Sequence, residues 1–183
     1  MQLSTQLTLT SQQTQALFQL LDQHFTKIRT QRLEEINFQL LLASEKNLSL
    51  HKQTTCQRTD YRLIYHDHSI QLDEALIPYY LKKEQPPYPG NDMINEHFWV
   101  WQQQDATPKS LVISDKYHFL TYEQASQLTL TTSYVATSQK NTLYFTNGHS
   151  LMNTKAVMIE LKSMTNTFPE WLVNWIATIK KGG

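Results

Sequence analysis

Glycine is scarce in this chain of 183 residues: there are four, and two of them form the final pair Gly182-Gly183. With so few, there is no G-x-G-x-x-G and no G-x-x-x-x-G-K-[ST], so the usual backbone cradles for dinucleotides and for nucleoside phosphates are excluded. No G-x-S-x-G elbow is available to present a hydrolase serine. Cysteine is scarcer still. Cys56 stands alone, which rules out an internal disulfide and favours a reducing compartment such as the cytoplasm. Neither C-x-x-C nor H-E-x-x-H occurs, so the common zinc signatures are missing. No apolar run approaches the roughly 18–20 residues that cross a bilayer. The start, Met1-Gln2-Leu3-Ser4-Thr5, has neither a basic patch nor an apolar core, so no signal peptide and no membrane partner are expected. Net charge is zero, from 16 basic and 16 acidic residues, a handicap for tight binding to a polyanion.

What is present is unevenly placed. Residues 27–62 carry seven Lys/Arg against four acids, residues 63–129 four against nine, and residues 130–183 five against two. Two segments of +3 therefore flank one of −5, and folding that joins the basic segments would create a patch that attracts phosphate. The length fits one domain over residues 1–183. The best internal boundary is residues 84–95, where Pro86, Pro87, Pro89 and Gly90 mark a loop or hinge.

Periodicity predicts an α+β fold with an N-terminal helix, a mainly antiparallel sheet and a C-terminal pair of helices. Thr10 and Gln13 have the spacing of a capping box, and Leu17, Leu20, Leu21, Phe25 and Ile28 recur at helical spacing, so a helix is expected over residues 11–30. Ile36, Phe38, Leu40 and Leu42 then alternate as in a strand. Short alternating patches at Leu48/Leu50, Leu63/Tyr65, Ile70/Leu72 and Trp99/Trp101 continue an antiparallel meander. Residues 73–83 fit a helix as readily as a strand. Later strands are expected at 111–113, 128–130 and 134–135. Thr154 to Met164 reads as a helix with Val157, Leu161 and Met164 on one side. A last helix follows Pro169, with Leu172, Trp175, Ile176 and Ile179 as its apolar face.

The candidates for chemistry are few. His66-Asp67-His68 on a strand would aim two imidazoles to one side, as in a cupin-like metal barrel, with Glu74 and one of His97, His118 or His149 completing the set. The residue pattern around the pair is that of a solvated turn, so neither a metal nor another cofactor is expected. Cys56 with nearby His51 lacks any sign of spatial convergence, and Glu34-Glu35 and Asp73-Glu74 are adjacent carboxylates whose side chains diverge. Trp99 and Trp101 share one strand face and Phe98 and Val100 the other, as expected of a buried strand. Trp171 and Trp175 are the natural anchors if the chain is a non-catalytic adaptor for another protein.

Asn147-Gly148, within Leu143-Tyr144-Phe145-Thr146-Asn147-Gly148-His149-Ser150-Leu151, is the strongest local signal: a two-residue hairpin turn of type I′. With the Trp171-Leu172 that follows, residues 140–176 resemble the C-terminal end of the ComK family of competence transcription factors. With Val173-Asn174, the same stretch also resembles a LytTR DNA-binding domain. Either resemblance implies a β-rich transcriptional regulator that binds duplex DNA. The lone cysteine, the lack of a catalytic set and the neutral charge add the expectation of a cytoplasmic, non-enzymatic protein helped by homodimerisation or a second protein. Lys140, Asn141, Asn147, His149 and Ser150 would then approach the duplex. Lysine positions through phosphate, while asparagine can read an adenine edge.

Overall fold

In the computed structural model, residues 3–39, 48–65, 68–82, 84, 107–123, 125–136, 145 and 155–182 are described. The described residues form an antiparallel sheet of eight strands with three α-helices, a mixed α+β architecture. The chain divides into two compact units: Met1–Thr30, Asp115–Thr132 and Lys155–Gly183 make unit 1, and Gln31–Ser114 and Ser133–Thr154 make unit 2.

Unit 1 contains β1 (Ser4–Leu9), α1 (Ser11–Asp22), β8 (Val157–Ser163), α3 (Glu170–Lys181) and parts of β2 (Thr26–Gln39), β6 (Thr107–Leu120) and β7 (Ser126–Ala136). Its strand order is β1-β8-β7-β6-β2. β1 and β8 run antiparallel with Leu7 opposite Ile159 and Leu9 opposite Val157, so their buried side chains share one face. The expected capping box is present: Gln13 N–H donates to Thr10 Oγ1 at 3.1 Å, and Thr10 N–H donates to Gln13 Oε1 at 2.9 Å. Leu17 and Leu21 of α1 and Leu172 of α3 are fully buried. Each contributes roughly 1.5–3 kcal/mol by leaving water.

The helix expected over residues 11–30 stops at Asp22. Thr26, Ile28 and Thr30 follow, and β-branched residues at every second position favour a pleated strand over a fourth helical turn. Phe25 still reaches the core, packing edge-on against Phe119 with ring centroids 6.3 Å apart. The second correction concerns Thr154–Met164. Residues 157–163 are strand β8, so the described C-terminal region holds one helix and not a pair. Val157 and Leu161 are spaced four apart and satisfy both periods. Buried Ile159 between them satisfies only period two, and Met164, assigned to the helical face, is exposed. Beyond β8 the backbone turns through Asn166 at φ 62°, a left-handed conformation that asparagine tolerates.

Unit 2 has the strand order β7-β6-β2-β3-β4-β5, with β3 at Leu48–Thr55, β4 at Thr59–Tyr65 and β5 at His68–Leu72. The expected patches at 36–38, 48–50, 63–65 and 70–72 all lie in these strands, and the strand expected from residue 36 begins ten residues earlier, at Thr26. A single 3-10 turn at Glu74–Leu76 leads into α2, Ile77–Lys82. Asp73 caps that turn, its Oδ1 accepting from Ala75 N–H at 3.0 Å. Residues 40–47, the loop at 85–95 and the Trp99/Trp101 patch lie outside the described residues.

Candidate functional site

The antiparallel register of β2, β3 and β4 sets two polar rows across unit 2. Glu34 lies opposite Lys52 and Lys52 opposite Tyr61; one residue along, Glu35 lies opposite His51 and His51 opposite Arg62. Adjacent residues of a strand point to opposite faces, so the rows occupy opposite faces of the sheet. The Glu34–Lys52–Tyr61 row shares its face with Ile36, Leu50 and Leu63, all of which are buried. Charge beside these buried aliphatic side chains is the unusual feature of this unit. Lys52 Nζ lies 3.7 Å from Glu34 Oε2, with side-chain exposures of 14% and 2%. A pair this sheltered is balanced between desolvation and attraction, and removing one partner strands the other.

Tyr61 carries the row to its edge. Its hydroxyl donates to Glu74 Oε1 at 3.1 Å, and its ring lies 6.0 Å from that of Phe145. Burial pushes the phenol up to about 12, helped by the Glu74 hydrogen bond and by the negative charges of Glu74 and Glu34. A phenol held this firmly protonated is a donor and not a base. Beside it is a cavity of about 350 Å³ lined by Lys52, Tyr61, Glu74, Ile77, Pro78, Leu81 and Phe145. Strands β3 and β4 supply its polar floor, and α2 supplies an aliphatic wall.

On the opposite face, His51 Nε2 lies 2.9 Å from Ser49 Oγ and 3.4 Å from Glu35 Oε1. Serine, histidine and glutamate together invite comparison with a nucleophilic triad. Here one ring nitrogen serves both neighbours, whereas a relay needs the acid on one nitrogen and the nucleophile on the other. The arrangement therefore lacks that geometry. Burial lowers the His51 pKa below its ordinary 6.5; Glu35 opposes the shift and Arg62 adds to it. Asn37 Nδ2 donates to Ser110 Oγ at 3.5 Å and Ser114 Oγ to Ser133 Oγ at 3.1 Å, further polar contacts within unit 2.

Unit 1 gathers rings instead. Trp171 stacks on His24 with centroids 4.3 Å apart and planes 16° from parallel, and it lies 6.2 Å from Phe25. Phe18 meets Tyr117 edge-on at 5.1 Å, and Lys27 Nζ sits 4.8 Å from the Phe18 ring centroid. Trp171 and Trp175, the anchors considered for a protein partner, are both half-buried, and Trp171 gives one ring face to His24.

Lys140, Asn141, Asn147, His149 and Ser150 lie outside the described residues, as do Gly148, His66 and Asp67. His68 is exposed and opens β5 opposite Tyr65. No group of three or more His, Cys, Asp or Glu converges among the described residues. Cys56 is exposed in the β3–β4 turn. Glu34 and Glu35 do diverge, onto opposite faces. Glu74, considered as a metal ligand and as a neighbour of the Asp73 carboxylate, accepts from Tyr61. Lys52 and Tyr61 carried no sequence signal, because their convergence depends on strand register. Among the described residues no helix is long and apolar enough to cross a membrane.

No protein-family model and no curated protein matches this chain. Among solved structures, it is similar to the PH1819 protein from Pyrococcus horikoshii OT3, with a TM-score of 0.42 and 11% identity over 87% of this chain and 78% of that one.

Proposed function

We propose that this protein binds a small amphipathic molecule in the cavity of unit 2. The observation that carries this reading is the composition of the wall: Ile77, Pro78 and Leu81 from one side, and Lys52, Tyr61 and Glu74 from the other, around about 350 Å³. Ligand clefts span roughly 300–1,000 Å³ and combine apolar surface with a few fixed polar groups. Tyr61 is such a group, held by Glu74 before any ligand arrives. A fragment screen read by thermal shift tests the reading. Hits should stabilise the protein and lose that effect in Leu81→Trp, which fills the cavity. A screen without hits, or hits indifferent to Leu81→Trp, overturns it.

A second reading makes the chain a cytoplasmic DNA-binding regulator acting through Lys140, Asn141, Asn147, His149 and Ser150. It is supported by the Asn147-Gly148 hairpin signal and by the +3 balance of residues 130–183. Electrophoretic shift of genomic fragments at low and moderate salt tests it. Binding should weaken as salt rises, and Lys140→Ala should reduce the salt slope by about 1. No shift at low salt rejects it.

A further inference from the structure

We infer that the cavity of unit 2 selects an organic cation, an ammonium group carrying a compact apolar body. This rests on the reading of that cavity as a ligand site and adds the charge of its occupant. The aromatic rings of Tyr61 and Phe145 stand 6.0 Å apart at 56° on its wall, and the carboxylate of Glu74 is beside them at the exposed rim. Aromatic faces and a carboxylate attract the same partner: the ring quadrupole and the anion both favour positive charge, and a weakly hydrated ammonium loses little on entering.

Lys52, the cation among the described residues of the wall, does not reverse this preference. Lys52 lies 3.7 Å from the buried carboxylate of Glu34, so its charge is matched from behind. Among the described residues that line the cavity, Lys52 and Glu74 carry charge, and with Lys52 matched by Glu34 the Glu74 carboxylate sets the sign at the rim. The phenol of Tyr61 reports the same sign: the charges acting on it are those of Glu74 and Glu34, and both hold its proton in place. A hard metal ion is a poor match, because it requires about six oxygen ligands and, among the described lining residues, Glu74 and Tyr61 are the side chains that offer oxygen. An anion would face Glu74 directly.

Three probes of one shape separate the alternatives: benzyltrimethylammonium, uncharged neopentylbenzene and anionic benzylsulfonate. Each is titrated into the full chain and followed by the amide shifts of Tyr61 and Glu74 in 1H–15N NMR spectra. The ammonium should bind at least about tenfold more tightly than neopentylbenzene, ~1.4 kcal/mol, and benzylsulfonate should bind more weakly than either. Glu74→Gln should remove most of the advantage of the ammonium over the neutral probe, leaving the part due to the rings, while Tyr61→Phe, which keeps the ring, should retain most of the preference. Equal binding of the ammonium and neutral probes overturns the charge preference and leaves the cavity a ligand site. Tightest binding by benzylsulfonate overturns the preference as well. If none of the three shifts these amides, the cavity reading fails and this inference fails with it.

Discussion

Unit 1 packs mainly rings and aliphatic chains around the buried carboxylate of Asp115, which lies 3.8 Å from Arg29, whereas unit 2 runs Glu34, Lys52 and Tyr61 along the same sheet face as Ile36, Leu50 and Leu63. The two solutions differ in what they contribute. Apolar packing stabilises in proportion to the area removed from water. A sheltered ion pair contributes little net, because two desolvation penalties oppose one attraction, and it becomes expensive only when halved. The packing of unit 1 accounts for itself as stability. The charged row of unit 2 does not, and under the proposed ligand reading the cavity at its Tyr61 end accounts for it.

The largest effect that sharpens this contrast is expected from Leu17→Ala in unit 1. Leu17 is fully buried, and the cavity left behind should cost about 2–5 kcal/mol in urea denaturation. A loss below about 1 kcal/mol would mean that α1 repacks and that the interior of unit 1 is not tightly fitted. In unit 2, Lys52→Met leaves the 1%-exposed Glu34 without its ammonium and should cost about 3 kcal/mol. The double variant Glu34→Gln/Lys52→Met should recover most of that loss. Additive losses in the double variant would show that the row is not coupled, erasing the distinction between the units.

Thr10→Ala removes the acceptor of Gln13 N–H and should lower the stability of unit 1 by about 1 kcal/mol. The smallest effect is one of pH. The pKa of His51 is lowered in the folded state, so below its ordinary 6.5 the unfolded chain binds more protons than the folded one. The stability tied to its neutral form is therefore present above 6.5 and is lost as pH falls through the folded value. The urea midpoint should drop as pH falls from neutral through 6.5 and below, and His51→Gln should flatten that drop. An unchanged slope in the variant would place the sensitivity elsewhere.

Local signals were legible where one residue pair decides the matter. Thr10 and Gln13 announced the start of α1, Pro169 the start of α3, and the alternation at Ile36 and Phe38 the inward face of β2. Legibility failed where two periods coincide. Val157 and Leu161 fit a helix and a strand alike, and the pairing with β1, far away in sequence, selects the strand. Phe25 and Ile28 prolonged a helical stripe on paper, although Ile28 is exposed on a strand. The cavity was illegible for a related reason. Lys52, Tyr61 and Glu74 meet through register and a capped turn, and neither leaves a fixed spacing in the chain.

The pairing of β1 with β8 also sets an order of events during synthesis. Ser4–Leu9 emerges long before its hydrogen-bonding partner, Val157–Ser163, whose Ser163 N–H donates to the Leu3 carbonyl at 2.9 Å. Until that late segment leaves the ribosome, the early strand has an unsatisfied edge and two leucines, Leu7 and Leu9, with nothing to cover them. Closing so long a loop is slow, and unpaired edges in waiting chains are where aggregation begins. The polar residues of the first strand, Ser4, Thr5, Gln6 and Thr8, keep that waiting segment from being a continuous apolar ribbon. Refolding from denaturant should accordingly have a slow phase in which β1 docks last, visible as late amide protection at Thr5 and Leu7, whose N–H groups face β8.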